Sequence, residues 1–169
     1  KYAWAAPSIK AMAEEGYITG YEDDTFRPDN SVTRLEVLAL FSRALGAKDE
    51  INAPLIKLAN EKYGKIIKAY ELEWGTDEIA FLMYRNVLTA ADLDTYLAED
   101  KRNEPMPRYE AAIIITKAMG AKPVANAEQT LTLEYADASE IPANAMGYVA
   151  NVNEKGIMTG MGEDIFSPK

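Results

Sequence analysis

Gly16-Tyr17-Ile18-Thr19-Gly20-Tyr21, then Asp23-Asp24-Thr25-Phe26-Arg27-Pro28, then Thr33-Arg34-Leu35-Glu36: on this stretch the reading of the fold turns. Its first glycine stops a run in which Ile9, Met12 and Ala13 fall at helical spacing, and Pro7 sits near the first turn, where its missing N–H is not needed. Aromatic and β-favouring residues around Gly20, with the acidic turn after them, predict a short extended excursion and a tight reversal over 17–28. Thr33-Arg34-Leu35-Glu36 matches a capping box, in which the hydroxyl accepts from the third backbone N–H and the carboxylate reaches back to the cap. A second helix opens there, carries Leu35, Leu38, Phe41 and Leu45 on a broad apolar face, and ends at Gly46.

The same unit returns along the chain. Trp4, Ile9, Met12, Ile18 and Thr19 recur as Trp74, Ile79, Leu82, Leu88 and Thr89 at one displacement (74 − 4 = 70). Gly16, Thr19, Gly20, Phe26 and Pro28 recur as Gly156, Thr159, Gly160, Phe166 and Pro168 at twice that (156 − 16 = 140). Arg34, Glu36, Ala44 and Gly46 recur as Arg108, Glu110, Ala118 and Gly120 at a displacement of 74 (108 − 34), so the second unit carries extra residues in a rewritten loop over 90–105. Self-similarity at a fixed period is the mark of a repeat architecture. The expected fold is mainly α, in three helix-loop-helix repeats over 1–47, 48–121 and 122–169, with short strand-like excursions. A connecting helix is expected over 51–70, weakened or broken at Gly64, and a loop over 123–129. The third repeat stops before its second helix. Its first helix, with Met146, Val149 and Val152, is therefore expected to bare an apolar face, filled by the 51–70 segment or by self-association with another copy.

Composition narrows the function. With 18 basic and 27 acidic residues the net charge is −9, a field that repels nucleic acid and anionic membrane surfaces, so any anionic ligand needs local cations. The absence of Cys excludes disulfides and thiolate metal sites. The absence of His removes the commonest general base and transition-metal ligand. Glu22-Asp23-Asp24 lacks the alternating ligand order and distant bidentate Glu of a calcium loop, and no carboxylate pair is singled out for glycoside hydrolysis. Neither catalytic residues, nor a cofactor, nor a metal is expected. No apolar run is long enough to cross a bilayer, so no membrane insertion is expected. The start at Lys1, without Met, reads as a piece of a longer protein.

At these residues the chain resembles the surface-layer-homology family: Trp4-Ala5, the glycine-flanked turn, Thr25-Phe26-Arg27-Pro28 and Thr33-Arg34-Leu35-Glu36 in the first repeat. The second repeat keeps Trp74-Gly75 and Pro107-Arg108-Tyr109-Glu110 without the glycine-flanked turn; the third keeps that turn but has Asn144 where Trp is expected. The resemblance implies a pseudo-threefold helical assembly with ligand grooves between neighbours. It also implies an extracellular location in the bacterial cell wall or surface layer, and attachment to a secondary cell-wall polysaccharide, typically through pyruvylated N-acetylmannosamine, with the motif arginine facing the anionic sugar.

The candidate ligand-binding residues are Arg34, Arg108, Trp4, Trp74, Gly20, Gly160, Glu36 and Glu110, each with a plainer explanation beside it. Capping alone accounts for Glu36. Arg34 and Arg108 sit at the positive end of a helix, where a cation is mildly unfavourable, and offer a planar fork for a carboxylate; an ion pair with a neighbouring repeat would serve as well. Trp4 and Trp74 read as core anchors or sugar-stacking platforms. Gly20 and Gly160 read as positions needing a conformation barred to other residues, or as close approaches to ligand. Two functions follow: a noncovalent wall anchor recognising an anionic polysaccharide, or a structural, protein-binding module whose rewritten loop has cost it the glycan.

Overall fold

Local capping chemistry sets the helix starts in the computed structural model, which describes residues 2–21 and 23–169. Thr33 caps α2 (Arg34–Ala44) with the expected box: its hydroxyl accepts from the backbone N–H of Glu36, and the Glu36 carboxylate accepts from the Thr33 N–H at 2.8 Å. α6 (Arg108–Ala118), the equivalent helix of the second repeat, has Pro107 at that position and no side-chain cap. The first helices of the repeats are α1 (Ala6–Glu14), α4 (Thr76–Tyr84) and α8 (Met146–Glu154). Connectors α3 (Ala53–Ile67) and α7 (Ala127–Glu134) follow α2 and α6, and the short α5 (Leu93–Leu97) lies in the rewritten loop.

The architecture is mainly α, as expected, with three corrections to its detail. No strand forms among the described residues; the 17–28 excursion closes on itself, Tyr21 N–H donating to the Thr25 carbonyl at 2.9 Å, and offers no edge for pairing. Gly64 does not break the connector, because its helix runs on to Ile67 and is held by packing on α4; a single glycine costs only about 1 kcal/mol in a helix interior. A helix begins at Ala127, inside the segment expected as loop, after Asn126 in the left-handed region.

The first helices of the second and third repeats are each covered from two sides, by the second helix of the repeat before and by the connector of their own. α4 is sandwiched by α2 and α3, and α8 by α6 and α7. One hydrogen bond repeats at both junctions: Ser42 Oγ donates to the Glu78 carbonyl at 3.0 Å, and Thr116 Oγ1 to the Tyr148 carbonyl at 3.4 Å. The core divides the same way. Leu35, Leu38, Ile67, Ile79, Leu82 and Leu97 form one buried cluster; Ala112, Leu131, Val149, Val152 and Phe166 form the other.

This packing reverses the expectation about the unfinished third repeat. The apolar side of α8 is buried, and not by the 51–70 segment: Val149 and Val152 are covered by α6 of the second repeat and by α7 and the Phe166 turn of the third repeat itself. The bare helix is α1, which contains no buried residue. Ile9 and Met12 are half-buried and exposed, whereas their counterparts Ile79 and Leu82 are fully enclosed.

Candidate functional site

The first cleft lies between repeats one and two. Its floor is one side of α2, with Glu36, Ala39 and Arg43; its wall is the glycine-flanked turn with Gly20, Tyr21 and Phe26; Trp74, leading into α4, closes the far side. Gly20 is required there. Its φ is +70°, and a Cβ would come within 2.9 Å of the Thr25 carbonyl oxygen. Asp23 of the acidic turn is held locally. Asp23 accepts from the Thr25 hydroxyl at 2.6 Å and from Arg27 Nη2 at 2.6 Å, which hold its carboxyl below the usual range, and the Arg27 guanidinium sits 4.2 Å over the Tyr21 ring. Glu22, the first of the three acids in the Glu22-Asp23-Asp24 run, lies outside the described residues.

A second cleft lies between repeats two and three, lined by Asp92, Tyr96, Tyr109, Glu110, Lys117 and Asn144 among others. The repeat displacements relate the two clefts: Glu36 corresponds to Glu110 and Arg43 to Lys117 (both at 74), and Trp74 to Asn144 (144 − 74 = 70). The second has no Trp and no glycine-flanked turn. In place of that turn stands the α5 segment, whose Asp92 puts both carboxylate oxygens 3.4 Å from Lys117 Nζ.

The two motif arginines make intramolecular contacts. Arg34 forks onto Glu110, Nε to Oε2 at 2.7 Å and Nη2 to Oε1 at 3.0 Å, with side-chain exposures of 12% and 6%. Arg34 Nη1 also reaches the Lys101 carbonyl at 3.4 Å. The pair has a local cause. Pro107 provides neither a hydroxyl nor an N–H to hold Glu110 as Thr33 holds Glu36, and the released carboxylate receives Arg34 instead. Its hydrogen bonds to Glu110 raise the already high pKa of Arg34. Arg108 donates to the carbonyls of Phe166 and Thr159, each at 2.9 Å, and lies 4.9 Å over the Phe166 ring. It also borders a third, more apolar cleft with Val32, Val37 and Met106.

The remaining candidates scatter. Trp4 is 82% exposed ahead of α1, which corrects its reading as a core anchor, and it lines none of these three clefts. Trp74 is 43% exposed within the first cleft. Gly160 lies in the third-repeat turn, where Met161 N–H donates to the Ile165 carbonyl at 2.7 Å. Close approach, rather than a left-handed φ, demands glycine there: a Cβ would stand 2.8 Å from the Tyr135 ring and 2.9 Å from the Ile165 oxygen. The structure thus brings Gly20, Glu36 and Trp74 together and leaves Trp4 and Gly160 apart from them. Sequence reasoning passed over Arg43, Lys117 and Asp92. Arg43 and Lys117 align in the repeat, but a cation in the last helical turn is already explained by the macrodipole.

Comparison with known proteins bears on the same turns. The model of the S-layer homology domain matches residues 1–38 and 134–169, leaving the middle of the chain to the internal repeat. A cellulosome-anchoring protein of Acetivibrio thermocellus is 48% identical over 42 residues, 25% of this chain. Cell surface glycoprotein 1 of the same organism is 43% identical over 61 residues, 36% of the chain. An endoglucanase of a Bacillus species is 28% identical along 100% of the chain. The chain spans 9%, 3% and 16% of those relatives' respective lengths. No solved structure matches it significantly. S-layer homology segments anchor proteins to the cell wall, and the matches at both ends of the chain indicate an extracellular, wall-associated location. Among the described residues no helix is long and apolar enough to cross a membrane.

Proposed function

We propose, from the S-layer homology matches at 1–38 and 134–169, a non-catalytic anchoring module that binds an acidic secondary cell-wall polysaccharide through pyruvylated N-acetylmannosamine, the unit the family resemblance implies. The observation that carries this is the first cleft. Tyr21, Phe26 and Trp74 present three aromatic rings to one hollow, beside a cation, on a protein whose net charge is −9. Flat apolar rings suit the faces of sugars, and a local cation offsets the global repulsion of an anion. Gly20 lets the turn backbone close against that hollow, and Glu36 holds the cap of the helix that floors it. In this reading Arg34 and Arg108 serve the site by tying each repeat to the next.

Isothermal titration of isolated wall polymer, beside the same polymer with its carboxylates amidated, tests the proposal. Tight binding of the acidic form, weakened by amidation and by Trp74→Ala, is expected. Equal retention on whole walls and on walls stripped of polymer would instead favour the protein-assembly reading, for which the bare side of α1 is the supporting observation.

A further inference from the structure

Resting on the glycan reading, we propose that Arg43 grips the ligand's carboxylate in the first cleft, and that Asp92 fills the corresponding place in the second, so that each chain takes one acidic sugar unit. Three observations carry it. The motif arginines already have partners: Arg34 holds Glu110, and Arg108 holds two carbonyls and a ring. Among the described residues two cations line the first cleft, Arg27 and Arg43, and Arg27 is bound at 2.6 Å to Asp23. Arg43 is different. Its Nε is buried with no hydrogen-bond partner, and its nearest acid, Glu78, stands 3.7 Å from Nη2, beyond hydrogen-bond reach. Glu78 also has Lys48 Nζ at 3.1 Å, so drawing the guanidinium toward a ligand leaves that buried carboxylate paired.

The second cleft shows what this position does. Lys117 stands where Arg43 stands, one repeat on, and it holds a carboxylate, that of Asp92, at 3.4 Å from both oxygens. Asp92 comes from the segment that replaced the glycine-flanked turn, and it is fixed there by Thr89, whose N–H and hydroxyl each donate to it at 2.8 Å. The chain's own carboxylate therefore sits against the cation of the second cleft. An arginine at that position in the first cleft offers a planar, two-pronged match to a carboxylate, which a lysine lacks.

The test uses an oligosaccharide fragment of the wall polymer bearing one carboxylate, and its amidated form, titrated calorimetrically into the wild type, Arg43→Gln and Arg43→Lys. The wild type should bind one fragment per chain and prefer the acidic form. Loss of a charge-assisted hydrogen bond should make Arg43→Gln weaker by about tenfold or more. It should also erase the preference between acidic and amidated fragments, a ratio that partial unfolding would not change. Arg43→Lys should fall between. An undiminished preference in Arg43→Gln overturns the assignment of Arg43 while leaving the anchoring function in place. Two fragments per chain overturn the filled second cleft. A wild type that binds neither fragment overturns the glycan reading itself.

Discussion

Replacing Arg34 by Gln separates architecture from ligand contact at the motif arginine. The substitution removes the two charge-assisted bonds to Glu110, at 2.7 and 3.0 Å, and the longer contact to the Lys101 carbonyl. Glu110 is left 6% exposed, with only the Tyr109 hydroxyl near it at 3.3 Å. Removing one partner of a buried pair costs about 3–5 kcal/mol, and the residual exposure of Arg34 places this case near about 3 kcal/mol. For a domain of this size that lowers the melting temperature by roughly 6–12 °C. Arg34→Gln combined with Glu110→Gln should recover much of the loss, because no charge remains stranded. Thermal melts of the two single variants and the double variant, with polymer affinity measured well below each transition, decide the matter. A melting temperature within about 2 °C of wild type alongside a collapse in affinity would refute the architectural role and put Arg34 against the sugar.

Thr33→Ala should cost about 1 kcal/mol through the lost cap, seen in urea denaturation, with polymer affinity unchanged. Trp4→Ala should leave both stability and affinity near wild type, since the ring is almost bare; a clear loss in either assay would show that α1 has a partner in solution. Burial raises the pKa of the Tyr96 phenol, with Glu110 and Asp92 adding to the shift. The folded state therefore keeps its proton while the unfolded phenol ionises near about pH 10, so this contribution to stability is complete below that pH and is lost above it. Alkaline titration followed by tyrosinate absorbance should show one phenol ionising only with unfolding.

Local chemistry was readable from the residues, and context was not. The capping box at Thr33 and Glu36, the stop at Gly46 and the recurrence of the turn at 20 and 160 depend on neighbours within a few positions, and they stand as read. Ile9 and Ile79 share a pattern yet differ in burial, because cover is provided by a different repeat and periodicity is blind to what lies opposite. The Arg34–Glu110 pair spans 76 positions and goes with a third site, Pro107, which offers Glu110 none of the hydrogen bonds that Thr33 gives Glu36. Arg43 was hidden for the opposite reason: a sufficient local explanation made it look ordinary. Of the candidate site, the turn and Trp74 were legible, whereas the cation facing them was not.

Because α4 and α8 are each clothed in part by the second helix of the repeat before, the unit that folds is out of step with the unit that repeats in sequence. A cut at the start of a repeat, between α2 and α3 or between α6 and α7, would strip a helix of half its cover and leave two greasy surfaces. A cut through a turn such as 16–28 would pass between complete layers. Anyone shortening or permuting such a module should therefore divide it at a turn that packs as 16–28 does, and not at 156–168, whose Phe166 is built into the core.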